Sequence, residues 1–118
     1  MKALKVGILS REAFQKRILL IASGEYKPKK NEPKVWFSSM KSLAEILSDN
    51  NIKLLKLIDE EQPNSIKELS KISGRKSSNL SRTLKTLEKY SIVELIKQKR
   101  EVKPIVKATD FNISYSVA

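Results

Sequence analysis

Leu4, Val6 and Ile8 alternate with Lys5 and Gly7, which predicts a short strand over residues 2–8. From Ser10 the period lengthens. Phe14, Ile18, Ile21 and Ala22 recur at helical spacing, so a helix is expected to about Ser23, with Gly24 closing it. Residues 25–35 hold two prolines and no periodicity, and read as a linker or extended arm. Trp36 and Phe37 precede Ser38 and Ser39, candidate caps for a short helix through Leu47. The aromatic pair is expected as a hydrophobic staple and core anchor. Ser48 and Asp49 would cap a further helix to about Glu61. Its Leu54, Leu55 and Ile58, with Ile52 and Leu57 beside them, give a wide apolar face before Pro63 ends it.

The next segments are the informative ones. Ser65 and Glu68 have capping-box spacing, so a helix should begin at Ile66 and bury Ile66, Leu69 and Ile72. It has room for only about two turns before Gly74, where a positive φ is cheap. Ser77 or Ser78 then caps a longer helix reaching Tyr90. A short helix, a glycine turn and a longer helix are the signature of a helix-turn-helix. Winding at about 100° per residue places Leu84 and Leu87 within about 40° of Leu80, with Thr83 at the margin of that stripe. Ser78, Arg82, Lys85 and Lys89 fall on the opposite side, with Asn79 and Ser81 flanking. Ile92–Ile96 reads as a strand, 97–101 as a charged hairpin tip and Val102–Val106 as the return strand, with Pro104 tolerable only at an edge.

In such a helix the N-terminal part reads base edges in the major groove. Arg82 is suited to guanine and Asn79 to adenine. Ser77, Ser78 and the first free amides of the helix can hold a phosphate, with Arg75 and Lys76 adding charge in the turn. Lys97, Lys99, Arg100 and Lys103 are concentrated at the hairpin, where they can lie along a phosphate backbone. The same tip charges also protect a sheet edge from aggregation. The candidate DNA-binding residues are therefore Arg75, Lys76, Ser77, Ser78, Asn79, Ser81, Arg82, Lys85, Lys99 and Arg100.

The end of the chain alternates again, Phe111, Ile113, Tyr115 and Val117 against Asn112, Ser114 and Ser116, and predicts a strand. It is expected to pair with the strand Leu4–Ile8, within one subunit or between two. With the Phe14–Ala22 helix these strands would form a dimerisation layer, since a two-stranded ribbon is marginal alone.

Composition sharpens this picture. Cysteine and histidine are absent, which excludes disulfides, thiolate or histidine-based nucleophilic catalysis and nearly every zinc site. No metal, cofactor or catalytic residue is expected, and the chain is not expected to be an enzyme. The longest apolar run, Ile18–Ala22, is five residues, far short of the roughly 20 of a membrane span. The N-terminus has no secretory signal pattern, so a cytoplasmic location is expected. The formal charge is +11. It is uneven: residues 65–107 hold 12 basic and 4 acidic side chains, net +8. A polyanion is the partner that such a distribution implies.

The stretch from Ser65 to Leu95, with the pattern running from Ser78 to Leu87 (SNLSRTLKTL), resembles winged helix-turn-helix regulators related to the MarR type. The longer run from Trp36 looks like a family of prokaryotic transcriptional regulators, some of them regarded as antitoxin-like. The resemblance covers residues 36–107. It implies the recognition residues already derived: Arg75, Ser77, Ser78, Asn79, Ser81 and Arg82. Such proteins usually carry Gly-Leu-Val after the recognition helix, where this chain has Ser91-Ile92-Val93, so Ser91 must end the helix without glycine's freedom.

The expected fold is thus α+β and mainly helical: a winged helix-turn-helix over 36–107, a strand-helix element over 1–24 for dimerisation or partner contact, a linker over 25–35 and a C-terminal strand over 108–118. The function expected is sequence-specific binding of double-stranded DNA by a homodimeric transcriptional regulator. The alternatives are an antitoxin-like protein that binds a toxin-like partner and represses its own promoter, or an RNA-binding winged module.

Overall fold

The alternating segment at the start of the chain forms β1 (Ala3–Ile8), the middle strand of a sheet in a computed structural model that describes residues 2–117. Among the described residues, five helices and two small sheets make the fold α+β. After β1 come α1 (Arg11–Ala22), β2 (Val35–Phe37), α2 (Met40–Ile46) and α3 (Asp49–Glu61). Then follow α4 (Ile66–Ser73), α5 (Ser77–Lys89), β3 (Val93–Gln98), β4 (Glu101–Val106) and β5 (Asp110–Ser114). The first sheet has the order β2-β1-β5 and is parallel throughout, while β3 and β4 form a separate antiparallel hairpin. The C-terminal strand pairs with β1 within the same chain, Val6 opposite Ile113.

Four helices begin on a serine whose Oγ accepts a hydrogen bond from the amide three residues on: Ser10, Ser39, Ser48 and Ser65. Each relieves one of the amides that a helix start leaves unpaired. At α4 the box closes one residue early, because Glu68 Oε2 accepts from the Asn64 amide at 2.7 Å. α3 ends on Gln62 in the left-handed region, ahead of the buried Pro63.

The core has two joined lobes. Leu54, Leu55 and Ile58 of α3 meet Leu69, the α5 leucines, Ile92, Val93 and Val106 in one, and Val6, Ile8, Phe37 and Leu43 form the other. Leu4, Ile46, Leu47 and Tyr90 pack against both, and the Tyr90 ring stacks on Phe37 with centroids 4.4 Å apart.

Three expectations change here. Trp36 and Phe37 lie in β2 alongside β1, so Phe37 reaches the core from a strand, and the segment expected as a linker ends in that strand at Val35. Trp36 covers Gly7, where a Cβ would run into its ring and Pro33. The rest of 25–35 is held against α1 by long-range pairs that no periodicity encodes. Arg17 donates to Glu32 at 2.7 Å and lies 5.0 Å from the Trp36 ring centroid and 5.2 Å from that of Tyr26, while the Tyr26 hydroxyl also bonds Glu32. Finally, α1 buries none of its residues, and in α4 only Leu69 is fully buried, with Ile66 partly covered and Ile72 exposed.

α5 ends in a complete Schellman motif. The Ser91 amide donates to Glu88 O at 3.0 Å and Ile92 to Leu87 O at 3.1 Å, with Leu87 and Ile92 both buried. Ser91 holds φ 62° to do this, which costs a residue with a Cβ roughly 1 kcal/mol. Ser91→Gly should therefore raise the unfolding free energy by about 0.5–1 kcal/mol in urea titrations, and a destabilised variant would contradict the strain described.

Candidate nucleic-acid interface

Leu80, Leu84 and Leu87 are each wholly buried, so the rotation of α5 is the one its sequence spacing implies. Ser77, Ser78, Asn79, Arg82, Lys85, Thr86 and Lys89 are exposed, and Ser81 and Thr83 are half-buried at the margins. Arg82 Nη2 donates to Asn79 Oδ1 at 3.1 Å, which brings those two side chains together on the open surface. Thr86 Oγ1 donates to the Arg82 carbonyl, a bond inside the helix.

The start of α5 differs from expectation. Ser77 and Ser78 do not cap the helix but lie in its first turn. Lys76 occupies the cap position, and its side chain makes no capping bond. The Leu80 amide is the first to find an intrahelical acceptor, the Lys76 carbonyl at 3.0 Å. The amides of Ser77, Ser78 and Asn79 thus face outward without an acceptor among the described residues. Two hydroxyls that the sequence reading passed over fix this turn. Ser70 Oγ donates to the Arg75 carbonyl at 2.5 Å and Ser73 Oγ accepts from the Arg75 amide at 3.2 Å. With Gly74 at φ 71°, they set where half-buried Arg75 and exposed Lys76 stand.

The hairpin tip is tighter than expected. The turn is Lys99-Arg100 alone, with Lys99 at φ 53°, and the strands run two residues further along β3 and one residue further along β4. Both turn residues and Lys97 are exposed, and Lys103 is half-buried. Pro104 costs no rung of the ladder. It stands opposite Leu95, whose amide donates to Glu88 Oε2 at 3.0 Å instead of across the hairpin, so the pair is of the non-hydrogen-bonded kind. The same bond ties the hairpin to α5. Glu88 is a third positioning residue missed in the sequence, where its only signal was a lone acid in a basic helix.

The acids near this surface are engaged elsewhere. Glu68 serves the start of α4, Glu88 the Leu95 amide, and Glu94 pairs with Lys107 at 3.4 Å; only Glu101 remains, beside the tip. Among the described residues from 65 to 107, Lys107 is the one cation held in an ion pair. The arrangement leaves a helix face of hydroxyls, an amide and cations, an amide-rich helix start, and a cationic hairpin tip, all suited to anionic oxygens. No grouping of acids capable of holding a metal occurs among the described residues, and no described helix is long and apolar enough to cross a membrane.

The fold and this surface define an α+β protein that presents a cationic helix to solvent. A family model, HVO_A0114, matches residues 46–113, from the end of α2 to within β5, and the chain belongs to the HVO_A0114 family. No curated protein matches it.

Lys76→Asp would supply the missing cap acceptor and should stabilise the protein by about 1 kcal/mol. Equal or lower stability in denaturant titration would show that the start of α5 is already satisfied.

Proposed function

We propose that this chain is a winged helix-turn-helix protein that binds double-stranded DNA sequence-specifically and acts as a transcriptional regulator. In this reading α4, the turn through Arg75 and Lys76, and α5 form the helix-turn-helix, and the β3–β4 hairpin is the wing. α5 enters the major groove by its N-terminal half. Arg82 and Asn79 reach base edges, with Ser78 and Ser81 beside them. The Ser77 and Ser78 amides, Arg75, Lys76 and Lys85 hold phosphates, and Lys99 and Arg100 lie along the backbone at the wing.

One observation carries the reading: the three α5 leucines are fully buried while Asn79, Arg82, Lys85 and Lys89 stand open on the other side, in a segment whose cations other than Lys107 have no acidic partner. Unpaired cations on one rigid face repel one another; a polyanion relieves that repulsion by supplying the opposite charge and gains as its own condensed counterions are released. Duplex DNA is favoured over RNA because the exposed face of α5 bears no aromatic side chain for stacking on splayed bases.

The test compares two variants on duplex fragments selected from random sequence, by fluorescence anisotropy between about 50 and about 200 mM salt. Arg82 is exposed, so Arg82→Ala should fold normally, lose about 1–3 kcal/mol of affinity for the preferred duplex and relax its preference at one base pair. Lys99→Ala with Arg100→Ala should weaken all duplexes alike and lower the salt slope by about 2. If selection returns no duplex held above competitor DNA, the proposal fails.

A further inference from the structure

We propose that the free edge of β5 docks a second copy of this chain, two β5 strands pairing antiparallel about Asn112 to make one six-stranded sheet. The proposal goes beyond DNA binding and does not depend on it.

β5 ends the order β2-β1-β5, so its outer row of amides and carbonyls has no strand beside it among the described residues. Exposed edges invite pairing, and proteins that stay monomeric blunt them with lysine, proline or a bulge. This edge has none of these. Residues 111–117, FNISYSV, carry no charge, proline or glycine in a chain of net charge +11. That neutrality selects the occupant. Two +11 chains repel wherever their lysines meet, and this edge is where their backbones can approach without doing so. Lys56 and Asp59 beside the strand are of opposite sign, so a strongly charged partner would find no net counter-charge beyond Asp110.

The side chains agree. Parallel neighbours in register share a face, so Phe111 and Ile113 lie on the side of Leu4 and Val6, toward the helices. Yet Ile113 is 49% exposed and Tyr115 62%. Between Phe111 and α3 is a largely apolar concavity of about 280 Å³, lined by Ile52, Leu55, Val106 and Ala108 with Lys56, Asp59 and Thr109. A two-fold axis normal to a sheet must pass through a self-paired residue. Asn112 is the middle of Asp110–Ser114, so pairing about it engages the whole strand. It sets Asp110 against Ser114 and Phe111 against Ile113 of the copy, which brings that isoleucine to the rim of the concavity. Such an axis maps each sheet face onto itself, so both sets of helices α2–α5 fall on one side of the joined sheet.

The test uses the full chain in the micromolar range. The protein has no cysteine, so Asn112→Cys provides a single thiol. Directly opposed residues stand about 4.5–5.5 Å apart at Cα, within disulfide reach. Mild oxidation should give a covalent dimer of twice 13.5 kDa, whereas Leu19→Cys, 70% exposed on α1, should stay monomeric. Ile113→Lys should weaken the dimer on the order of a hundredfold in sedimentation equilibrium, with an unchanged circular dichroism spectrum. Wild type that sediments as a monomer, or Leu19→Cys linking as readily as Asn112→Cys, overturns the proposal. DNA binding is read separately: a dimer that binds no duplex leaves this inference standing, and a monomer that binds duplex removes it alone.

Discussion

The packing of Leu80, Leu84 and Leu87 against α3, α4 and the start of β3 fixes how α5 is turned, and the outer surface follows from it. Burying a leucine is worth about 1.5–3 kcal/mol, so the stripe as a whole rivals the net stability of a small domain. Turning the helix by half a turn would expose all three and drive Arg82, Lys85 and Lys89 into an apolar interior with no acid to meet them, at several kcal/mol each. No alternative rotation competes. The polar face of α5 is therefore as well determined as the core, although its own side-chain bonds are few: Arg82 to Asn79, Thr86 to the Arg82 carbonyl, and Glu88 to the Leu95 amide.

That rigidity matters because the neighbouring acids have been drawn off the same surface. Glu88 could have lain along α5 among the lysines and neutralised them. Its carboxylate instead accepts from the Leu95 amide, which the hairpin leaves unpaired on its outer side. One bond thus satisfies a backbone donor, fixes the hairpin to the helix and aims the carboxylate at an amide instead of at a neighbouring lysine. Glu68 does similar work at the start of α4. The net charge of residues 65–107 follows from the count of basic and acidic side chains, and where the acids bond affects how it is distributed over the surface.

Much of this was legible in the sequence. Four of the five helices start on a serine that the local pattern identifies, and the three core leucines of α5 follow from winding alone, because capping and periodicity are interactions between near neighbours. The match between β5 and β1 was anticipated from two isolated alternating segments with no other partner. What escaped was non-local or ambiguous. Val35–Phe37 is too short to show alternation, so the aromatic pair looked like the approach to a helix. The clamp of Arg17, Glu32, Tyr26 and Trp36 joins residues that share no pattern. At Ser77 the same residue type serves as a cap or as a first-turn residue, and only the backbone distinguishes them. Phe14, Ile18, Ile21 and Ala22 have helical spacing, yet none is fully buried and Ile18 and Ile21 stay exposed. Periodicity states which face is apolar; it does not say whether a partner exists.

The places where the chain breaks local rules are clustered. Among the described helices α5 alone lacks a side-chain cap, and its cap position is held by a lysine. Two of the three non-glycine positions with positive φ among the described residues, Ser91 and Lys99, flank the hairpin joint and its tip. Each departs from what stability alone would select by roughly 1 kcal/mol, and a serine or aspartate at 76 and a glycine at 99 would remove the cost. At both 76 and 99 the residue present is a cation where the comfortable choice is neutral or acidic. A fold under no other constraint gains nothing from that substitution pattern. Under the proposed function it has a use, since the uncapped amides and the two lysines would share one ligand type, and a bound polyanion would recover the stability given up at the turn and the tip.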